Sequence, residues 1–168
     1  KLVSPAMNTR MYENPITQDN LNILRKYGFT VIEPSSGYLA CGDTGAGKFP
    51  DPEVILEYVY QELEYAKDMV GLHVLVTAGP TQESIDPVRY ITNHSTGKMG
   101  YALAQNAARR GATVTLVTGP TALKPPAFVD VVPITTAQEM FEAVASRSEQ
   151  QDILVKAAAV ADYRPALV

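Results

Sequence analysis

The sequence lacks tryptophan and has few residues of the kinds that form disulfides or zinc sites. It contains one cysteine, Cys41, and two histidines. A single cysteine excludes an intramolecular disulfide framework and is compatible with a reducing compartment. One cysteine and two histidines are also too few ligands to predict a zinc site, so we predict no site of this kind.

A surplus of basic charge and a long apolar run are lacking as well. The 14 Lys and Arg residues are outnumbered by 18 Asp and Glu residues, which gives a formal net charge of −4. Nucleic acid is therefore a poor candidate partner, because phosphate backbones attract basic surfaces. No apolar run approaches the roughly 18 residues of a membrane span, and the first residues lack the layout of a signal peptide. We expect a soluble, cytoplasmic protein that does not contact a membrane.

The composition that is present is that of an ordinary globular protein, with 46% hydrophobic and 19% charged residues in a chain of 168. This length suits one domain or two small ones. The chain begins with Lys1 and ends directly after an apolar strand pattern, so we expect a fragment of a longer protein, cut at both ends.

Residues 1–70 are predicted to form one packed unit, with Gly71 at its boundary. Its predicted elements are the tail of a strand at the N-terminus, a helix over 16–27 that ends at Gly28, a strand over 29–32 and a helix over 52–70. The segment between the last two is rich in glycine and proline, which predicts a hairpin-like flap. Within it we expect residues 38–41 to be extended and Gly42, Asp43, Gly45 and Gly47 to lie in turns.

Residues 71–168 show strand patterns that alternate with helix patterns. The predicted elements are strands over 73–78, 113–117, 129–132 and 153–159, a helix over 97–110 that ends at Gly111, and a helix that begins with a capping box at Thr136–Glu139. Such alternation implies parallel pairing with right-handed crossovers. We therefore predict an α/β fold, a three-layer Rossmann-like domain with a parallel sheet.

The long loop over 79–96 is the first candidate functional segment, because loops of this length in compact domains are often functional. It leads from Gly79-Pro80-Thr81 to Gly97-Lys98-Met99-Gly100, which is neither the G-x-G-x-x-G fingerprint nor a P-loop. Nicotinamide binding is therefore weakly indicated, and a Walker-type NTPase still less. The N-terminus of the following helix can present N–H groups and Lys98 to a phosphate, or Thr96 can simply cap the helix.

Arg89 and Asn93 lie four residues apart on this loop. Arginine suits bidentate contact with a carboxylate or phosphate, and asparagine can position an acyl group or stabilise an oxyanion. Alternatively, both side chains tie down the loop by bonding backbone carbonyls. His94, beside Asn93, is more typical of a structural residue than of a general base.

The end of the last predicted strand carries small residues and a carboxylate, namely Lys156, Ala157, Ala158 and Asp162. Small residues let a ligand approach the backbone, which can bind the edge of a base, while Asp162 can bind ribose hydroxyls or Mg²⁺. Alternatively, the alanines make room for a packed helix and Asp162 caps a helix. In the flap, Cys41 is either an exposed proton donor or small core filler.

Together these motifs resemble a known family, the bacterial bifunctional phosphopantothenoylcysteine decarboxylase/phosphopantothenate-cysteine ligase of coenzyme A biosynthesis. The motifs PAMNTRMYENP and LACGDTGAGKF, in residues 1–70, resemble the C-terminal part of its flavodoxin-like, FMN-dependent decarboxylase domain. The motifs VTAGPTQESIDPVRYITNHSTGKMG and AAAVADYRP, in residues 71–168, resemble the N-terminal part of its CTP-dependent ligase domain. The resemblance spans essentially the whole chain.

For the ligase, the resemblance implies that the carboxylate of 4′-phosphopantothenate attacks CTP, with Mg²⁺ present, to give an acyl-cytidylate and pyrophosphate. The amine of cysteine then displaces CMP. Asn93 and Arg89 match the family positions that bind and turn over the acyl-cytidylate. The family positions that contact CTP are matched by Lys156, Ala157, Ala158 and Asp162.

For the decarboxylase, the resemblance implies that FMN oxidises the cysteine moiety of 4′-phosphopantothenoylcysteine, which then loses CO₂ and is reduced and protonated to 4′-phosphopantetheine. Asn8 matches the substrate-binding asparagine and Cys41 the flap cysteine that donates the proton. Tyr12 and Lys48 replace the Trp and Arg that are usual at their positions. The family's FMN loops and lysine-rich CTP loop would lie outside this chain, so we expect the chain alone to be inactive in both reactions.

The resemblance also implies a homo-oligomer. An alternative from a different class is a catalytically silent nucleotide-binding or assembly module, in which the loop over 79–96 makes subunit contacts. A nicotinamide-dependent oxidoreductase domain is a third hypothesis, which the missing G-x-G-x-x-G disfavours.

Overall fold

The computed structural model describes residues 1–166, and the chain divides between Glu64 and Tyr65 into two compact units. The segment after Tyr65 belongs to the second unit because Asp68 forms a bidentate ion pair with Arg110, with N–O distances of 2.8 and 2.7 Å. The N–H of Met69 also donates to the carbonyl of Arg110 at 3.1 Å. No helix within residues 1–166 is both long enough and apolar enough to cross a membrane.

The first unit contains short strands and three helices. Its elements are β1 (Leu2–Val3), α1 (Thr9–Tyr12), α2 (Pro15–Lys26), β2 (Thr30–Val31), β3 (Ser35–Tyr38), β4 (Thr44–Lys48) and α3 (Pro52–Leu63). The predicted strand at the N-terminus is present as β1, which pairs in parallel with β2. Gly28 follows α2 with a φ of 78°, which confirms its role in ending that helix. The prediction that α3 extends to residue 70 is wrong, because the segment from Tyr65 packs within the second unit.

β3 and β4 form an antiparallel hairpin, which confirms the predicted flap. The expectation that Gly45 and Gly47 lie in turns is wrong, since both belong to β4. Glycine is needed there because residues 7–9 lie against the strand. A Cβ on Gly47 would be 2.1 Å from the carbonyl oxygen of Met7, and a Cβ on Gly45 would be 2.5 Å from Oγ1 of Thr9. The turn itself occupies residues 39–43, so residues 39–41 are not extended.

The second unit is built on a parallel sheet. Its elements are β5 (His73–Ala78), β6 (Gln82–Ser84), β7 (Tyr90–Thr92), α4 (Lys98–Arg109), β8 (Thr113–Thr118), β9 (Val129–Pro133), α5 (Ala137–Ala145), a 3₁₀ turn (Ser148–Gln150) and β10 (Ile153–Lys156). Four strands form the sheet in the order β10-β5-β8-β9, all parallel. This confirms the predicted α/β fold.

The two faces of this sheet carry separate cores, which produce the three layers. Val74 and Val76 are buried on the face that packs against Ala104 of α4. Leu75 lies on the opposite face and belongs to a cluster with Met140 of α5. Because side chains alternate along a strand, one short apolar run supplies both cores.

Three local features of the second unit differ from the prediction. The loop over 79–96 contains the antiparallel hairpin β6–β7, whose strands are too short to show a period. β10 ends at Lys156, and Ala159 beyond it forms only an isolated bridge with Pro80. The helix α4 is capped by Gly97, with a φ of 77° and no side-chain hydrogen bond, rather than by Thr96.

Candidate functional site

The predicted ligase residues, Arg89 excepted, lie at one edge of the parallel sheet. β5 has β8 on one side and β10 on the other. Connections that lead to opposite sides of a strand leave a crevice beyond the carboxyl ends of the strands. The loop after β5 and the segment after β10 meet there. The N–H of Ala159 donates to the carbonyl of Gly79 at 2.9 Å, and the N–H of Thr81 donates to the carbonyl of Ala159 at 3.2 Å.

Two buried threonines hold the segment after β10 in place. Thr77, 5% exposed, accepts hydrogen bonds at Oγ1 from the N–H groups of Ala157 at 3.2 Å and Ala158 at 3.3 Å. Thr81 is fully buried, and its Oγ1 accepts from the N–H of Ala161 at 2.9 Å. The backbone conformation of this segment is therefore set by side chains of β5 and its loop.

Asn93 joins the loop to the same segment. Its Nδ2 donates to the carbonyl oxygens of Ala159 and Val160, both at 3.2 Å. The preceding residue, Thr92, donates from Oγ1 to the carbonyl of Thr81 at 2.7 Å. Asn93 therefore bonds backbone carbonyls, as expected if it only ties down the loop. It does so beside the segment predicted to contact CTP, as expected if it has a role in the ligase.

Arg89 lies at the other end of β7, on the tip of the hairpin. Its Nε donates to Oδ2 of Asp86 at 2.7 Å, and this guanidinium holds the pKa of the Asp86 carboxyl below its usual range. Its side chain is 75% exposed. A strand rises about 3.3 Å per residue, so the backbone of Arg89 lies roughly 13 Å from that of Asn93. The structure does not bring these two predicted residues together.

Three of the four predicted CTP-contacting residues, all except Ala157, line two neighbouring cavities that share Ala137, the first residue of α5. Asp162 borders a cavity of about 240 Å³ together with Glu83 and Arg164. Lys156 and Ala158 border a second cavity of about 370 Å³, which has a mostly apolar wall. Its apolar lining includes Met140, Phe141, Val144 and Val160. A charged end beside an apolar recess is an arrangement that suits a nucleotide.

Glu83 connects the loop to the N-terminus of α5. It is 4% exposed, and its Oε1 accepts from the N–H of Ala137 at 2.8 Å. The predicted capping box is present, with Thr136 and Glu139 bonding each other's backbone. The chain's own carboxylates therefore occupy much of this helix end, and an anionic ligand would meet negative charge there.

In the first unit, Asn8 and Cys41 are in direct contact. Nδ2 of Asn8 donates to Sγ of Cys41 at 3.1 Å and lies 3.4 Å from Oδ2 of Asp43. Cys41 is exposed, which excludes the core-filler alternative. Both Asn8 and Cys41 line a cavity of about 490 Å³ with largely apolar walls.

Tyr12, which replaces a Trp of the family pattern, lies in a polar cluster. Its hydroxyl donates to Oε2 of Glu33 at 2.5 Å, and Glu33 also pairs with Arg25. The hydrogen bond to the Glu33 carboxylate, helped by burial, raises the pKa of Tyr12 above its usual value. This cluster ties α1 to α2 and to the segment after β2.

Comparison with known proteins assigns the family. Residues 69–168 match the family described as DNA/pantothenate metabolism flavoprotein C-terminal domain. The chain belongs to this family. Residues 1–64 match a second family, described as Flavoprotein.

Two relatives are similar to this chain over nearly its whole length. The coenzyme A biosynthesis bifunctional protein CoaBC of Escherichia coli K12 is 50% identical over 166 residues, which are 99% of this chain and 41% of the relative. The CoaBC protein of Vibrio vulnificus YJ016 is 49% identical, and the match again covers 99% of this chain and 41% of the relative. The chain therefore spans about two fifths of the length of these relatives, and the resemblance inferred from the motifs is confirmed.

A solved structure of the C-terminal domain of the coenzyme A biosynthesis bifunctional protein CoaBC has the same fold. It is 53% identical, with a TM-score of 0.59, and the match covers 61% of this chain and 53% of that one. The fold of the second unit is thus that of a known domain of the family.

Sequence reasoning missed the residues that hold the site together. Thr77, Thr81 and Glu83 make side-chain hydrogen bonds to backbone N–H groups 54 to 81 residues away along the chain. The available signal was a polar residue at the end of a buried apolar run, as in HVLVTAGPT. A buried threonine needs a hydrogen-bond partner, but sequence alone cannot say which one.

Proposed function

We propose that residues 71–168 are the N-terminal part of a CTP-dependent ligase domain that joins 4′-phosphopantothenate to cysteine in coenzyme A biosynthesis. The observation that carries the proposal is the double hydrogen bond from Asn93 to the carbonyls of Ala159 and Val160. It brings a predicted acyl-cytidylate residue to the segment predicted to contact CTP, across more than 60 residues of sequence.

The proposed chemistry has two balanced steps. A carboxylate oxygen of 4′-phosphopantothenate attacks the α-phosphorus of CTP, and pyrophosphate leaves. The amine of cysteine then attacks the acyl carbon, loses a proton and expels CMP. The amide of Asn93 would orient the acyl-cytidylate, and the guanidinium of Arg89 would bind a carboxylate or phosphate after release from Asp86.

The hydrogen-bonding pattern of Ala157 and Ala158 supports recognition of a base with an exocyclic amine, such as cytosine, over uracil. Their N–H groups are both bonded to Thr77, so base recognition here would use backbone carbonyl oxygens. The exocyclic amine of cytosine is a donor that suits such acceptors. The small side chains leave room for a flat base beside the apolar cavity.

The residues at the crevice fit Mg²⁺ held mainly by the nucleotide. Within residues 1–166, no three His, Cys, Asp or Glu side chains are grouped to hold a metal ion. Magnesium usually needs only one or two carboxylates when phosphates and water complete its shell. Asp162 would supply that carboxylate, and the ion would offset the charge of the triphosphate.

Calorimetric titration with CTP, with ATP and with UTP, each with Mg²⁺ at matched ionic strength, tests nucleotide recognition by the chain itself. We expect weak binding that favours CTP. Equal affinity for CTP and ATP would contradict selectivity for cytosine, and equal affinity for CTP and UTP would contradict carbonyl readout of the exocyclic amine. An Asp162→Asn variant should bind CTP–Mg²⁺ more weakly, while Asp130→Asn on β9 serves as a charge-matched control.

Turnover is tested in a chimaera in which this chain replaces the matching 166-residue region of the Escherichia coli relative. Asn93→Asp should retain CTP binding but lose ligation. Thr92→Val removes the neighbouring anchor of the same loop and should keep most turnover. Equal losses in both variants would assign Asn93 to loop anchoring alone. A wild-type chimaera that binds CTP without turnover would favour the silent-module alternative.

A second activity is proposed for residues 1–70, as the C-terminal part of an FMN-dependent decarboxylase of 4′-phosphopantothenoylcysteine. The supporting observation is the contact of Asn8 with Cys41 at the wall of the 490 Å³ cavity. Its apolar wall, including Met7 and Phe49, fits an aromatic ring system, and its volume is in the range of small-molecule sites. When bound, FMN supplies the oxidation and re-reduction of the cysteine moiety.

In this proposal the chain's own residues handle the substrate and one proton. Asn8 binds the substrate through its amide, and Cys41 holds at Sγ the proton that the product carbon receives. Cys41→Ala in the chimaera should abolish formation of 4′-phosphopantetheine and leave ligation intact. Formation of 4′-phosphopantetheine at the wild-type rate would contradict the role of Cys41. The homo-oligomer and the cytoplasmic location stay predictions.

A further inference from the structure

Asp43 lies beside both residues proposed for the decarboxylase, yet the motifs assign it no role. Its Oδ2 is 3.4 Å from Nδ2 of Asn8 and 3.8 Å from Sγ of Cys41. With the 3.1 Å contact between Asn8 and Cys41, the three side chains form a closed ring of hydrogen bonds. We infer that Asp43 is a positioning residue that orients the Cys41 thiol.

The direction of each bond in the ring follows from Asn8. Its Oδ1 accepts from the N–H of Arg10 at 2.9 Å, as the cap of α1, so Nδ2 must be the group that faces the ring. One amide hydrogen points to sulfur and the other to Asp43. The sulfur accepts from Asn8, so its own proton is free to be donated to Asp43.

This ring is complete only while Cys41 is a thiol. A thiolate would have no proton to donate and would face the carboxylate of Asp43 as a like charge. Asp43 therefore holds the sulfur through its proton, and the thiol is the form that a proton donor needs. The inference rests on the proposed decarboxylase role of Cys41, but the effect of Asp43 on the thiol can be measured without that activity.

The backbone holds Asp43 in this position independently of its side chain. The N–H of Leu39 donates to the carbonyl of Asp43 at 2.8 Å and closes the turn that carries Cys41. A change at the Asp43 side chain should therefore leave the turn intact. The titratable residues that line the cavity are Tyr38, Cys41 and Lys48. The ammonium of Lys48 acts in the opposite direction to Asp43, since a cation favours a thiolate.

Alkylation by iodoacetamide tests the inference on the chain itself, because only the thiolate reacts and Cys41 is the single cysteine. Asp43→Asn should react roughly threefold faster at pH 7.5, since a unit charge about 4 Å away in a watery setting has an effect of this size. Asp43→Glu, which restores the charge, should return the rate towards wild type. Asp19→Asn, on exposed α2, is the charge-matched control and should change nothing.

Equal alkylation rates for wild type and Asp43→Asn between pH 6 and 9 would overturn the inference, as would equal acceleration by Asp19→Asn. Circular dichroism of each variant checks that the fold is retained, and Asp43→Ser, which also removes the charge, gives a second test if Asp43→Asn unfolds.

The two hypotheses fail in different ways. If Cys41→Ala still forms 4′-phosphopantetheine while Asp43→Asn accelerates alkylation, the proton-donor role of Cys41 is wrong and the effect of Asp43 on the thiol stands. If Cys41→Ala is inactive while Asp43→Asn alkylates at the wild-type rate, the role of Cys41 stands and the inference about Asp43 is wrong.

Discussion

Thr81→Val is the sharpest test of how the nucleotide crevice is held together. Valine has nearly the shape of threonine, so the main change is the loss of the Oγ1 that accepts from the N–H of Ala161 at 2.9 Å. Thr81 is fully buried, whereas Ala161 is half-buried, so water can reach the orphaned N–H only in part. A lost acceptor in such a place costs about 1–2 kcal/mol in the free energy of unfolding.

Urea unfolding of the chain, followed by far-ultraviolet circular dichroism, measures this loss. With an m value of about 2 kcal/mol/M, the expected cost lowers the midpoint by roughly 0.5–1 M. Hydrogen exchange gives the local readout, since protection of the Ala161 amide should fall by about tenfold for each 1.4 kcal/mol.

Thr113→Val is the matched control, because Thr113 lies at the exposed start of β8 and its substitution should change stability by less than about 0.5 kcal/mol. Equal midpoints for the two variants, together with unchanged exchange at Ala161, would refute the idea that Thr81 holds this segment. A lower urea midpoint in Thr81→Val without faster hydrogen exchange at the Ala161 amide would mean that the stability is lost elsewhere in the core.

Two further perturbations concern the first unit. Gly47→Ala should destabilise the chain by about 2–4 kcal/mol, because a Cβ meets the Met7 carbonyl at 2.1 Å at a φ of 121°. Gly28→Ala, at a φ of 78° and without a clash, should cost only about 1–2 kcal/mol; equal melting temperatures for the two variants would refute the packing argument. The raised pKa of Tyr12 means that its bond to Glu33 adds stability below about pH 10, which is lost as pH rises through the pKa of the folded state. Urea midpoints should therefore fall less above pH 10 in Tyr12→Phe than in wild type, and parallel curves would contradict this.

The elements of the second unit were predictable because local signals agreed with the fold. The strand over 73–78 matches β5 residue for residue, and the capping box at Thr136 and Glu139 forms as expected. A strand buried on both faces must be apolar along its length, and a capping box satisfies donors within one turn. Neither feature depends on distant residues.

The predictions that were wrong depend on distant contacts. α3 ends at Leu63 because the following segment pairs with Arg110, 42 residues away from Asp68. Gly47 lies in a strand rather than a turn because Met7 packs against it. An amphipathic pattern or a glycine does not reveal which remote segment will contact it.

The sequence by itself determined the family, the alternation of strands and helices, and the residues worth testing, because those depend on motif spacing and local periodicity. Only the tertiary structure decided how the candidate residues are arranged. It brings Asn93 to Ala159, separates Arg89 from Asn93, and closes a ring of Asn8, Cys41 and Asp43. Such contacts join residues far apart in the chain, and their geometry is fixed by sheet order, by glycines that admit close approach and by buried hydroxyls that must find partners.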